Sequence, residues 1–135
     1  MLKKDPLKIQ THFILGFLIL QYFFGMFASL FIEFPDTKNE KVLWDFAKGQ
    51  PSIIIHIVLA ALLVIGGIVL LVRSIIRKDR NWIIAANVGL FALLAASIVG
   101  SQFISTQQNT YSYSMAIAFL LALFSYGWGI YKTKK

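Results

Sequence analysis

The chain has no cysteine, and only 14% of its residues are charged, whereas a typical soluble domain has about 25% charged residues. Without cysteine the chain can form neither a disulfide framework nor a thiolate metal site. Hydrophobic residues make up 58% of the 135 residues, which excludes a disordered chain. These proportions predict a single domain, residues 1–135, that is integrated into the lipid bilayer.

Three stretches of the sequence lack any charged side chain: residues 9–32, 49–72 and 81–131. The first two have 24 residues each, so each reaches about 36 Å as a helix and can cross a hydrocarbon core of about 30 Å. The third is too long for one span, and its middle, residues 102–114, is rich in hydroxyls and amides that are costly in lipid. The sequence therefore predicts four membrane-spanning helices, over residues 11–34, 51–76, 81–104 and 111–131.

Basic residues are distributed unevenly over the segments that connect the predicted spans. Ten of the thirteen lysines and arginines lie in the two terminal segments and in the connection between the second and third spans. They are Lys3, Lys4, Lys8, Arg73, Arg77, Lys78, Arg80, Lys132, Lys134 and Lys135. Because basic residues favour the cytoplasmic side, we expect a multi-pass protein of the plasma membrane with both termini in the cytoplasm. The net charge of +7 is then a signal of orientation, and no nucleic-acid partner is expected.

The longest connection, residues 35–50, is predicted to be an external amphipathic segment. Asn39 is a suitable cap for a short helix over residues 40–48, and Gly49 is suited to end it. Trp44 would lie at headgroup level, so the helix is expected at the membrane interface. The predicted fold is an all-α membrane protein, a four-transmembrane-helix bundle with this interfacial helix between spans one and two. The residues expected on the apolar side of the short helix are Val42, Leu43, Phe46 and Ala47.

Small residues and aromatic residues indicate how the spans pack. The third span is the richest in glycine and alanine, which permit close helix approach, so we expect it to be central. Short connections predict that the second and third spans, and the third and fourth, are antiparallel neighbours. Trp82, Trp128 and Tyr131 are expected in an aromatic belt at the inner membrane surface.

The cores of the predicted spans contain no Asp, Glu, Lys or Arg. Proton-coupled transport needs an ionisable group at mid-membrane, so this absence argues against it. Small four-span multidrug exporters match the chain in size and span number, but they depend on an embedded glutamate, whereas Glu33 lies at the outer edge. The sequence also lacks the H-E-x-x-H and G-x-S-x-G motifs and a phosphate-binding glycine loop. We therefore expect a protein that is not an enzyme.

The two histidines are the candidates for binding a cofactor. His12 lies at the start of the first span and His56 near the start of the second, so they are expected to be roughly 20 Å apart along the membrane normal. A single haem could not use both. His56, Met26 and Met115 all fall in the outer half of the membrane, where imidazole and thioether groups could bind haem or Cu(I). The cofactor-binding hypothesis is therefore His56 with Met26 or Met115.

Further polar side chains within the predicted spans are expected to make hydrogen bonds between helices. In the absence of a cofactor, His56 is expected to form a hydrogen bond to a neighbouring helix, for example to a hydroxyl of the third span such as Ser97 or Ser101. The intramembrane polar residues of interest are Gln21, Asn87, Ser97 and Ser125.

These patterns are compatible with three functions. The leading interpretation is an accessory or structural membrane subunit, or one that forms a homo-oligomer, acting through contacts with itself or with a membrane-protein partner. The alternative is a membrane redox protein that holds haem or copper near His56. The third is a small oligomer that lets a solute permeate, with Gln21, Asn87 and Ser97 lining the path.

Overall fold

The computed structural model describes residues 5–133, and this part of the chain is all-helical. The described residues form the five helices α1 (Pro6–Phe31), α2 (Glu40–Lys48), α3 (Pro51–Ile76), α4 (Arg80–Thr106) and α5 (Asn109–Lys132). Four of them, α1, α3, α4 and α5, are long and apolar enough to cross a membrane. The prediction of an all-helical chain with four candidate spans is therefore confirmed. Four of the basic residues used to predict orientation, Lys3, Lys4, Lys134 and Lys135, lie outside the described residues.

The bounds of α2 and α3 agree with the sequence prediction, while α1 is displaced toward the N-terminus. It begins at Pro6 because the carboxylate of Asp5 accepts a hydrogen bond from the backbone N–H of Leu7 at 3.1 Å, which caps the helix. It ends at Phe31, since Ile32 is already extended. The prediction of residues 11–34 followed hydropathy, whereas the actual start depends on the cap.

The connection between α4 and α5 consists of Gln107 and Gln108 alone, so both helices are longer than predicted. Gln107 has left-handed backbone angles (φ 55°) and donates its backbone N–H to the carbonyl of Phe103 at 2.8 Å. The hydroxyls of Thr106 and Ser114 donate to carbonyls four residues earlier, at 2.8 and 2.9 Å. Because these polar groups bond within their own helices, the polar run is helical on both sides of Gln107 and Gln108.

The four long helices form a bundle in which each packs on two antiparallel neighbours. α1 packs on α3 and α5, and α4 packs on α3 and α5. The antiparallel neighbours expected from the short connections are thus present. Asp5 pairs with Arg77 at one end of the bundle, while the ammonium of Lys8 donates to the carbonyl of Thr133 at 2.6 Å. We call this the terminal end, because both ends of the described chain meet there, and we call the opposite end the α2 end.

Two aromatic side chains, Tyr126 and Trp82, are buried in the apolar core of the bundle in space left by glycines. Tyr126 and Trp82 are both 0% exposed. A Cβ atom on Gly89 would overlap the ring of Tyr126, and one on Gly129 would lie 2.9 Å from Cζ3 of Trp82. The expectation that Trp82 belongs to an aromatic belt is therefore wrong, because Gly129 leaves room for its indole inside the bundle.

Helix α2 lies across the α2 end of the bundle and packs on α3 and α4. Leu43 and Ala47, from its predicted apolar side, are buried. The indole N–H of Trp44 donates to the hydroxyl of Ser105 at 3.0 Å, and that hydroxyl donates to the Glu40 carboxylate at 2.7 Å. These contacts attach α2 to the last turn of α4.

Candidate functional site

A pair of polar side chains, Gln21 of α1 and His56 of α3, meets inside the bundle. The amide Nε2 of Gln21 donates to Nε2 of His56 at 3.1 Å. Because Nε2 of the imidazole accepts this hydrogen bond, the proton of the neutral ring lies on Nδ1. The imidazole lies against α1 at Gly25, where a Cβ atom would be 3.1 Å from Cε1 of His56. Gly25 thus allows the ring to approach the backbone of α1.

Each member of the pair keeps one buried polar atom without a hydrogen-bond partner in the described part of the chain. These atoms are Oε1 of Gln21 and Nδ1 of His56. Leaving such a group unsatisfied costs about 1–3 kcal/mol. With Nδ1 as donor and Oε1 as acceptor, the pair offers complementary sites to a small hydroxylic group such as water.

The expected hydrogen bond from His56 to a neighbouring helix is present, but the partner is Gln21 of α1 rather than a hydroxyl of the third span. The hydroxyl of Ser97 donates to the carbonyl of Leu93 at 2.9 Å, and that of Ser101 donates to Ile98 at 2.7 Å. Both serines therefore bond within α4. The pairing of Gln21 with His56 could have been predicted from the sequence, because the first and second spans are antiparallel and this places the two residues at the same depth.

The structure brings His56 together with Gln21 and Gly25. Met26 is 41% exposed on α1, and Met115 lies against α4, where a Cβ atom on Gly100 would be 3.2 Å from its sulfur. His12 is in the second turn of α1 and donates Nδ1–H to the carbonyl of Lys8 at 2.6 Å. His12 is thus near the terminal end and His56 near the α2 end. The ligand set of His56 with a methionine stays a prediction.

Two of the remaining polar candidates differ in the direction they face. The hydroxyl of Ser125 donates to the carbonyl of Ala85 at 2.8 Å and so joins α5 to α4. Asn87 is exposed on the outer face of α4, between the exposed apolar residues Ile84 and Phe91. Gln21 and Asn87 therefore do not line a common path within one chain.

A groove lies between α1 and α3 at the terminal end, and the sequence alone does not predict it. Arg73 reaches from α3 to α1, where its Nη1 donates to Oε1 of Gln10 at 2.9 Å. The amide Nε2 of Gln10 in turn donates to the carbonyl of Gly66 at 3.0 Å. Beside these residues is an open depression of about 350 Å³. From the sequence alone, Arg73 indicates only the orientation of the chain in the membrane.

Comparison with known protein families, with curated proteins and with solved structures found no match.

Proposed function

We propose that this protein is a non-enzymatic subunit of a membrane assembly and that it associates through the outer face of α4 around Asn87. The observation that carries this proposal is the exposure of that carboxamide. Asn87 follows the first residue of α4 by seven positions, which is about 10 Å along the helix axis. It is therefore inside the charge-free stretch that would face lipid.

An amide that faces hydrocarbon is unfavourable, because lipid offers it no hydrogen-bond partner. A hydrogen bond to another helix removes this penalty and stabilises helix association by about 0.6–2 kcal/mol. Asn87 has both donors and acceptors, so it can pair with a second copy of the chain or with a different membrane protein.

The filled interior favours association over permeation. Tyr126 and Trp82 are fully buried among the apolar core residues of the bundle, and Gln21 faces α3 while Asn87 faces outward. The bundle of one chain therefore provides packing surfaces rather than a polar path.

Cysteine crosslinking tests the proposal, because the chain has no native cysteine. Phe91 is one turn beyond Asn87 and 72% exposed, while Ile117 on α5 is 68% exposed and serves as the matched control. In native membranes, a thiol-attached photocrosslinker at Phe91→Cys should give one defined adduct, and the same probe at Ile117→Cys should not. The mass of the adduct distinguishes a second copy from another protein.

Replacement of the amide supplies the decisive comparison. Adding Asn87→Leu to the Phe91→Cys variant should weaken association about 3- to 30-fold, which corresponds to the loss of one interhelical hydrogen bond in lipid. The folded bundle should keep its stability, since Asn87 is exposed. Equal crosslinking at the two cysteine positions, or a yield unaffected by Asn87→Leu, would contradict the proposal.

A redox protein is the second candidate, and Nδ1 of His56 is the observation that favours it. This buried nitrogen has no hydrogen-bond partner in the described chain. If the Gln21 amide is rotated so that its oxygen accepts Nε2–H of His56, the proton moves from Nδ1 to Nε2, and the free lone pair of Nδ1 can bind haem iron or copper. Protein expressed with haem precursor and copper should then show a Soret band or bound copper that disappears in His56→Ala and persists in His12→Ala. A colourless, copper-free preparation would exclude this candidate.

A further inference from the structure

Two arginines, Arg73 in the last turn of α3 and Arg77 at its C-cap, face α1 across the groove at the terminal end. Arg73 and Arg77 are four residues apart and so lie on one side of the helix. Arg73 donates Nη1–H to Gln10, and Arg77 forms an ion pair with Asp5. Both guanidinium groups are therefore directed toward the start of α1.

Two open depressions meet at Pro6 and Arg73 and together form this groove. Their volumes are about 350 and 320 Å³. Ile9 and Phe13 form apolar walls of the first, and Ile76 lines the second. All three of these apolar side chains are exposed on the outer surface of the bundle, so the groove is continuous with the surface that would face lipid.

We propose that this groove binds one anionic phospholipid, with its phosphate on Arg73 and Arg77 and its acyl chains along Phe13 and Ile76. Each guanidinium has five N–H donors, and the contacts with Gln10 and Asp5 use one nitrogen of each. The remaining donors match the oxygens of a phosphate group, which arginine binds in a bidentate manner. Basic grooves between spanning helices bind acidic headgroups for this reason.

The combination of charge and shape distinguishes this site from general attraction to a membrane surface. Lys78 and Arg80 carry the same charge in the neighbouring connection between α3 and α4, but neither lines the groove. Asp5 is the acidic partner of Arg77, so Arg73 supplies the uncompensated positive charge. The groove is on α1 and α3, and the proposal is independent of association through α4.

Native mass spectrometry of the full chain, titrated with long-chain phosphatidylglycerol or phosphatidylcholine, tests the proposal. Wild-type protein should bind one phosphatidylglycerol about tenfold more tightly than phosphatidylcholine. The double variant Arg73→Gln/Arg77→Gln should lose this preference. The matched variant Lys78→Gln/Arg80→Gln removes the same charge and should keep it. Equal loss in the two double variants would show general charge attraction and overturn the proposal.

Further measurements in the same titration distinguish a bound lipid from a bound free anion and control for correct folding of the variants. Inorganic phosphate at equal concentration should not displace the lipid, and Phe13→Ala should weaken lipid binding, because the apolar wall contributes. Displacement by inorganic phosphate would overturn the assignment to a lipid. The variant Arg73→Lys/Arg77→Lys keeps the charge but not the planar guanidinium, so it should lose several-fold in affinity while its thermal unfolding without added lipid stays unchanged. Full affinity in that variant would likewise count against bidentate binding.

Discussion

The substitution Gly89→Ala should destabilise the bundle, although alanine is the better helix former by about 1 kcal/mol. A Cβ atom at this position would be 2.7 and 2.8 Å from Cε1 and Cε2 of Tyr126. The ring has little room to move aside, because it is fully buried and its hydroxyl lies close to Gly67 of α3. Helices α4 and α5 must then separate. Overpacking costs up to about 3 kcal/mol, so we expect a net loss of about 2 kcal/mol.

The assay is the free energy of unfolding in detergent, measured by denaturant titration of helicity. The matched control is Gly127→Ala on α5, where an added Cβ atom would meet nothing within 4 Å. This control should be as stable as wild type or more stable by up to about 1 kcal/mol. In a Tyr126→Ala background the penalty of Gly89→Ala should largely disappear, with a coupling of at least about 1 kcal/mol. The reasoning is refuted if Gly89→Ala is as stable as Gly127→Ala, or if its effect is independent of Tyr126.

Three further changes test individual contacts with the same unfolding assay unless stated. Tyr126→Phe should raise stability by up to about 1 kcal/mol, because it removes a buried hydroxyl that has no partner in the described chain; a clear loss would reveal a partner. Gln21→Leu should lower stability by about 1–2 kcal/mol by leaving the imidazole of His56 without its hydrogen bond, and adding His56→Leu should recover most of that loss. Trp44→Phe removes the indole hydrogen bond to Ser105, so amide hydrogen exchange in α2 should become about fivefold faster, the effect of about 1 kcal/mol, while α5 stays protected.

Local chemistry in the sequence determined the number of spans and several helix ends. Helix α2 runs from Glu40 to Lys48 as predicted, because Asn39 caps its start and Gly49 follows its end. Helix α3 begins at Pro51, a residue that is favoured in the first turn of a helix. These signals depend on neighbours in the chain, so they can be recognised without the fold. The start of α1 was missed because its cap, Asp5, lies outside the charge-free stretch used to place the span.

Only the tertiary structure decided which side of each span faces its neighbours. Trp82 is buried rather than in a belt, and His56 bonds to Gln21 rather than to Ser97. In a soluble bundle a polar face would have marked the exterior. In a span that faces lipid, the exterior is as apolar as the interior, so hydropathy does not distinguish them. The inward faces are instead fixed by shape, where glycines such as Gly25 and Gly129 admit a ring from the opposite helix. The fit between a glycine on one helix and a ring on another depends on how the two helices pack, so it cannot be recognised in the sequence of either helix alone.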